Sequence, residues 1–244
     1  MKTIALIPAR FGATRFPAKL LADLRGKPLI ARTYLSTLAT GVFDEVMVVT
    51  DHQSIADAVS KEGGKVFFSQ KAHESGSDRI AEAAASIEAD IIVNVQGDEP
   101  FQDKESLSNL VAVFEDKTVE VASLMSPIKE ASQIINPNIV KVVTDKNNFS
   151  LYFSRSPIPF QRNETSSPEY FRHIGIYAYK KDLLMTFTKW EKSLLENVEM
   201  LEQLRLLENG IRIKMVPTTH QAVAIDVPED LERALTYYDN HFSK

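Results

Sequence analysis

Three cations, Arg10, Arg15 and Lys19, fall within ten residues just after the apolar run Ile4-Ala5-Leu6-Ile7-Pro8. Gly12 in the same stretch lets the backbone come close to a ligand. A nucleoside triphosphate needs positive charge and N–H donors around its oxygens, and this loop can supply both. Two carboxylates also end apolar runs. Asp98 stands in Asn94-Val95-Gln96-Gly97-Asp98-Glu99-Pro100 after Ile91-Ile92-Val93, and Asp226 follows Val223-Ala224-Ile225. Mg²⁺ takes one or two carboxylates together with phosphate oxygens, so the pair is a reasonable magnesium site facing a cationic loop. Each feature has an ordinary reading as well: a solvated basic loop, a Gly-Asp turn, a residue preparing a helix start. His73-Glu74-Ser75-Gly76-Ser77-Asp78-Arg79 either contacts a nucleotide or begins a helix. His173 beside a strand, and Glu202 and Gln203 on a helix, are equally readable as structural or solvated residues.

Several chemistries are absent from the sequence. There is no cysteine, which excludes disulfides, thiolate catalysis and thiolate metal ligation. There is no Gly-x-x-x-x-Gly-Lys-Ser/Thr loop, no Gly-x-Gly-x-x-Gly, no His-Glu-x-x-His and no Gly-x-Ser-x-Gly elbow. Lys+Arg is 28 against Asp+Glu 33, a net charge of -5 that argues against nucleic acid as partner. Apolar runs are too short to span a membrane, and the N-terminus lacks signal-peptide features. The expected location is the cytoplasm.

These residues need elements to hold them. Strands are expected at Thr3–Pro8, Glu45–Thr50, Lys65–Ser69 and Ile91–Val95. Helices are expected at Leu29–Leu38, Ser54–Lys61, Asp78–Ile87 (capped by Ser77) and Ser106–Phe114. Strands alternating with helices imply βαβ units and a mostly parallel sheet, with ligands bound beyond the strands' carboxyl ends. The second half is less regular, with strands at Glu120–Leu124, Ile139–Thr144, Leu151–Ser154, Gly175–Tyr179, Ile211–Val216 and Val223–Ile225. Ser193-Leu194-Leu195-Glu196 matches a capping box and opens a helix to Asn209, with Leu194, Val198, Leu201 and Leu204 on a core face. Pro228 opens a last helix, Glu229–Tyr238. The length suits one α/β domain, 1–244.

Read in order, these stretches resemble a known family. They are Ile7-Pro8-Ala9-Arg10 through Lys19, Val49-Thr50-Asp51, His73 to Arg79, Val93 to Pro100, Tyr152-Phe153-Ser154-Arg155, Arg172 to Tyr177, Met200 to Arg205 and Ile225 to Leu231. Together they look like the 3-deoxy-manno-octulosonate cytidylyltransferases, or CMP-Kdo synthetases, over essentially the whole chain. The resemblance implies a Rossmann-like nucleotide-diphospho-sugar transferase fold, with a mostly parallel central sheet and a small antiparallel dimerisation lobe. It implies transfer of CMP from CTP to 3-deoxy-manno-octulosonate (Kdo) with Mg²⁺, for lipopolysaccharide biosynthesis, by a homodimer. By position, Arg10, Arg15 and Lys19 would hold the triphosphate, with Lys19, Asp98 and Arg10 at the reacting phosphate. Ala9 and the segment from Ser75 to Arg79 would frame the cytidine, with Gln96 near both substrates. Asp98 and Asp226 would ligate Mg²⁺. Arg15, Gln96, His173, Tyr177, Glu202 and Gln203 would line the sugar site.

Several positions depart from the family's usual pattern: Ala18 stands for a glycine, Leu20 for a proline, Glu74 for a glutamine and Val227 for a threonine, and Thr218-Thr219-His220-Gln221-Ala222 lacks a glycine often found there. None removes a proposed metal ligand or phosphate cation. Two rival readings are a cytidylyltransferase for another acidic sugar, such as 8-amino-Kdo or a sialic acid, and a nucleotide-binding relative without turnover.

Overall fold

The structure, a computed structural model, describes residues 1–12, 16–163, 165, 168–220 and 223–242. In chain order the elements are β1 (Thr3–Ala9), α1 (Leu29–Ala39), β2 (Glu45–Thr50), α2 (Gln53–Ser60), β3 (Lys65–Phe68), α3 (Gly76–Ala84), β4 (Ile91–Asn94), α4 (Lys104–Ala112) and β5 (Val121–Pro127). They continue with α5 (Ala131–Ile135), β6 (Lys141–Thr144), β7 (Ser150–Ser154), β8 (Phe171–Lys180), α6 (Lys181–Phe187), α7 (Leu194–Glu199), α8 (Gln203–Glu208), β9 (Lys214–Pro217) and α9 (Pro228–Phe242). Short 3₁₀ turns lie at Lys19–Leu21 and Val113–Glu115. The chain divides into two compact units, Met1–Leu107 with Ala222–Lys244, and Ser108–Gln221.

The first unit is built on the parallel order β3-β2-β1-β4. Leu6 of β1 stands between Met47 of β2 and Asn94 of β4. Both β1 and β4 are apolar runs without in–out alternation, as a sheet covered on both faces requires, and Ile4, Leu6, Ile92 and Val93 are fully buried. The chain leaves β1 for β2 and β3 on one side, and returns to β4 on the other. The strand order therefore reverses between β1 and β4, which opens a crevice at their carboxyl ends. The loops that follow these two strands carry Arg10 and Asp98.

The second unit pairs β5 antiparallel with β8 and parallel with β9, and pairs β6 antiparallel with β7 and β8. Lys141 is fully buried there. Its ammonium donates to the carbonyls of Asn136 (3.0 Å), Ile139 (2.7 Å) and Arg155, one acceptor for each of its three protons.

Three expectations need correction. The helix after β3 starts earlier than Asp78: its N-cap is Ser75, whose hydroxyl accepts from the Asp78 N–H at 3.1 Å while the Asp78 carboxylate accepts from the Ser75 N–H. Serine two residues earlier captures the same free donors, so Ser77 falls inside the helix. The stretch Ser193–Asn209 is two helices, not one. The Ser193–Glu196 capping box forms, but Met200 turns left-handed (φ 53°) and ends α7. Leu194 and Val198 consequently lie exposed, whereas Leu201 and Leu204 are buried. Val223–Ile225 pairs with no strand among the described residues.

Candidate active site

The site in the first unit is assembled from backbone constraints before any side chain acts. Gly97 packs so closely that an added Cβ would lie 3.1 Å from the Pro8 carbonyl oxygen and 3.3 Å from Ile30 Cδ1. Thr33 donates to the Gly97 carbonyl at 2.8 Å, and the Ile225 N–H donates to the Asp98 carbonyl at 3.1 Å. The turn carrying Asp98 is thus pinned to β1, α1 and the segment before α9. Asp230 fixes that segment in turn: its carboxylate accepts from the N–H groups of Asp226 (2.8 Å) and Val227 (3.0 Å).

Lys19 closes the arrangement. Its ammonium lies 2.5 Å from Asp98 Oδ2, 3.2 Å from Asp226 Oδ1 and 2.9 Å from the Ile225 carbonyl. The preceding Ala18 is left-handed, at φ 54° and ψ 25°, and turns the chain into the 3₁₀ element that carries Lys19. An alanine accepts this conformation only at a cost that glycine does not meet.

These residues line a cavity of about 380 Å³. Pro8, Ala9 and Arg10 come from the end of β1, Gln96 and Asp98 from the loop after β4, and His73, Glu74, Ser75, Gly76 and Arg79 from the start of α3. Arg79 is buried and donates to Asp51 at 2.9 Å, while its second terminal nitrogen, Nη1, is buried without a partner among the described residues. Every first-unit residue proposed for the nucleotide or metal is therefore brought to one cavity, except Arg15, which lies outside the described residues.

The proposed metal ligands suit a hard cation. Asp98 and Asp226 already share one positive charge, and all their donor atoms are oxygens. Mg²⁺ needs no more than such a pair when phosphate oxygens and water complete its shell. Among the described residues no cluster of three or more His, Asp or Glu forms a self-sufficient metal cage.

The remaining candidates sit in the second unit, where His173, Tyr177 and Glu202 share a neighbourhood. The ring centroids of His173 and Tyr177 are 5.3 Å apart, and the charge of Glu202 acts on the Tyr177 phenol. His173 Nε2 lies 3.1 Å from Ser123 Oγ. Burial, helped by the Arg172 charge, pushes the His173 imidazole down to about 3, so the ring is neutral at pH 7. Burial raises the Tyr177 phenol well above its ordinary value. Ser123 also bonds the Tyr177 phenol, and the Gln203 side-chain nitrogen is buried without a hydrogen-bond partner among the described residues.

Sequence reasoning missed Asp51, Glu82 and Asp230, which hold Arg79, His73 and Asp226 respectively. Asp51 and Asp230 did leave local signals, an acid directly after the run ending at Thr50 and an acid in the first turn after Pro228, but no role was assigned to either.

Comparison with known proteins agrees with this fold. Residues 4–213 match the Cytidylyltransferase family. The 3-deoxy-manno-octulosonate cytidylyltransferase of Flavobacterium johnsoniae is 54% identical over 96% of this chain and 97% of its own. That of Christiangramia forsetii is 52% identical over 96% and 95%. A solved CMP:2-keto-3-deoxy-manno-octonic acid synthetase complexed with CTP superposes with a TM-score of 0.94, at 38% identity, over 99% of this chain and 100% of that one. The 4-diphosphocytidyl-2C-methyl-D-erythritol synthase of Anaerococcus prevotii shares the fold alone, with a TM-score of 0.66 at 15% identity over 98% of both chains. With its α/β fold, its mostly parallel sheet and the β6–β7 hairpin, the chain belongs to the 3-deoxy-manno-octulosonate cytidylyltransferase family.

Proposed function

We infer that the chain transfers CMP from CTP to the anomeric hydroxyl of Kdo, giving CMP-Kdo and pyrophosphate for lipopolysaccharide assembly. The observation that carries the reading is the meeting of Lys19, Asp98 and Asp226 on the wall of one cavity, at the strand-order reversal. The sugar oxygen forms a bond to the α-phosphorus as the bond to the pyrophosphate oxygen breaks. Negative charge grows on the phosphate oxygens, and fixed cations there lower the barrier most. Lys19 and Arg10 supply that charge, and Arg15 is assigned the same task and the sugar carboxylate. The backbone at Ala9 and the Ser75–Arg79 turn frame the cytidine, with Gln96 between the two substrates. Asp98 and Asp226 would hold Mg²⁺, which when bound neutralises phosphate charge.

His173, Tyr177, Glu202 and Gln203 are assigned to the sugar. A neutral His173 binds hydroxyls by hydrogen bonds and needs no proton exchange. The whole chain, 1–244, acts as one cytidylyltransferase domain; the family match crosses from the first unit into the second. The family resemblance supports a homodimer, and exposed Leu194 and Val198, one turn apart on α7, offer apolar surface for it. No helix among the described residues is long and apolar enough to cross a membrane, and the need for CTP puts the protein in the cytoplasm. The test is pyrophosphate release on mixing the protein with CTP, Kdo and Mg²⁺. Release is expected with Kdo. None with Kdo, but release with 8-amino-Kdo or a sialic acid, would move the sugar assignment.

A further inference from the structure

One wall of the cavity contains a hydrogen-bonded chain that the proposed chemistry does not use. His73 lines the cavity, and its Nε2 lies 2.7 Å from Glu82 Oε2 and 3.1 Å from Ser69 Oγ. Ser69 also donates to Glu82 Oε2, and the Gln70 N–H donates to Glu82 Oε1 at 3.0 Å. Burial alone would raise the Glu82 carboxyl, but the donations from Ser69, His73 and Gln70 outweigh it and bring it down to about 2. Glu82 is then an anion that can only accept. Nε2 carries the proton it shares with Glu82, so the neutral form of the ring held in this pair presents Nδ1 as its acceptor. The pair is held on both sides: Glu82 belongs to α3, and His73 precedes that helix's Ser75 cap.

We propose that Glu82 fixes the tautomer of His73 so that Nδ1 accepts from the exocyclic amino group of cytosine, making this pair the determinant of CTP over UTP. The proposal rests on the reading of the cavity as a CTP site. Cytosine presents an amino donor where uracil presents a carbonyl acceptor, while the two rings are otherwise nearly the same size. A neutral imidazole with a fixed proton distinguishes them by hydrogen-bond polarity alone. Uracil would face an acceptor with an acceptor and leave both groups unpaired, which is how polar sites discriminate strongly.

Glu82→Gln tests this directly. The Gln70 N–H still requires an oxygen, so the new amide directs its NH₂ toward His73 Nε2. The ring must then protonate Nδ1 instead and becomes a donor toward the base. His73→Gln is the second variant; it keeps a donor toward Glu82 and removes Nδ1. The measurements are kcat/KM with CTP and with UTP at saturating Kdo, ¹⁵N NMR of the His73 ring, and a thermal melt. In the parent protein, Nε2 is expected to carry the proton. Glu82→Gln should lower the CTP/UTP ratio by about tenfold or more, and UTP turnover should rise. His73→Gln should weaken CTP without improving UTP. A proton on Nδ1 in the parent, or unchanged ratios in both folded variants, would overturn the proposal. If Glu82→Gln melts, His73→Gln and the parent's ¹⁵N spectrum still decide. If the parent gives no turnover with CTP and Kdo, the wider reading fails separately. The ratio of CTP to UTP affinities by calorimetry, parent against His73→Gln, then judges this one.

Discussion

Lys19 binds Asp98 and Asp226 at once, so removing either carboxylate changes both the cation's position and the charge available to a metal. Asp98→Asn and Asp226→Asn keep the shape and remove that charge. Each is expected to lower turnover on the order of 10²-fold with the melting temperature little changed, as read by steady-state rates at saturating Mg²⁺. Near-normal rates would remove that residue from the metal site. Ala18, one position before Lys19, holds a left-handed backbone that glycine adopts freely. Ala18→Gly relieves that cost but frees the unfolded chain. The net expectation is a gain of up to about 1 kcal/mol in urea denaturation, with activity retained. A loss of stability would mean that the alanine methyl packs productively. Arg10, Lys19, Asp98 and Asp226 were legible in the sequence because each ends or follows an apolar run, and strand ends collect ligands in this kind of sheet. Glu82 was not legible: its value lies in one tertiary bond to a histidine nine residues away, and nothing in its neighbours distinguishes it from a solvated helix acid.

At the scale of elements, the alternating first half was readable because buried parallel strands are written as short β-branched runs, and β1, β2 and β4 fall close to their expected bounds. The break at Met200 was not. Glu199 takes bonds from Ser154 Oγ (2.6 Å) and the Arg155 N–H (3.0 Å), and the Arg155 guanidinium binds the Glu199 carbonyl at 2.8 Å. These partners satisfy the end of α7 from residues far away in sequence, so helical spacing through position 200 gives no warning. The start of α9 is the reverse case, a short-range device with a long-range task. Asp230 caps the helix and, through the Asp226 N–H, holds in place the residue proposed as a metal ligand. Asp230→Ala is expected to cost about 1 kcal/mol of stability. It should also raise the Mg²⁺ concentration for half-maximal rate about tenfold, with Asp230→Asn closer to the parent because it retains an acceptor oxygen. A melt and a Mg²⁺ titration check both; a stability loss with an unchanged Mg²⁺ requirement would leave Asp230 a helix cap only.

For the molecule as a whole, stability should fall in mild acid partly through one ring. The folded His173 titrates at about 3, against 6.5 for an ordinary histidine. Between those values the unfolded chain binds a proton that the folded chain refuses. His173 therefore costs nothing above pH 6.5 and destabilises progressively as pH falls toward 3. His173→Gln should flatten the decline in unfolding free energy between pH 6.5 and 4, measured by urea denaturation at several pH values. An equally steep decline would show that the ring ionises without penalty. The discontinuous path of the first unit has a consequence for how the protein is made. Residues 1–107 emerge from the ribosome well before the segment from 222 onward that completes their unit, and the continuous second unit is synthesised in between. Domains tend to fold as they emerge. The second unit can thus be finished while the first still waits for Ile225 to reach the Asp98 carbonyl and for Asp226 to reach Lys19. A nascent chain stalled before that segment would hold Lys19 and Asp98 without Asp226, so the carboxylate pair assigned to the metal is complete only once residue 226 has been made.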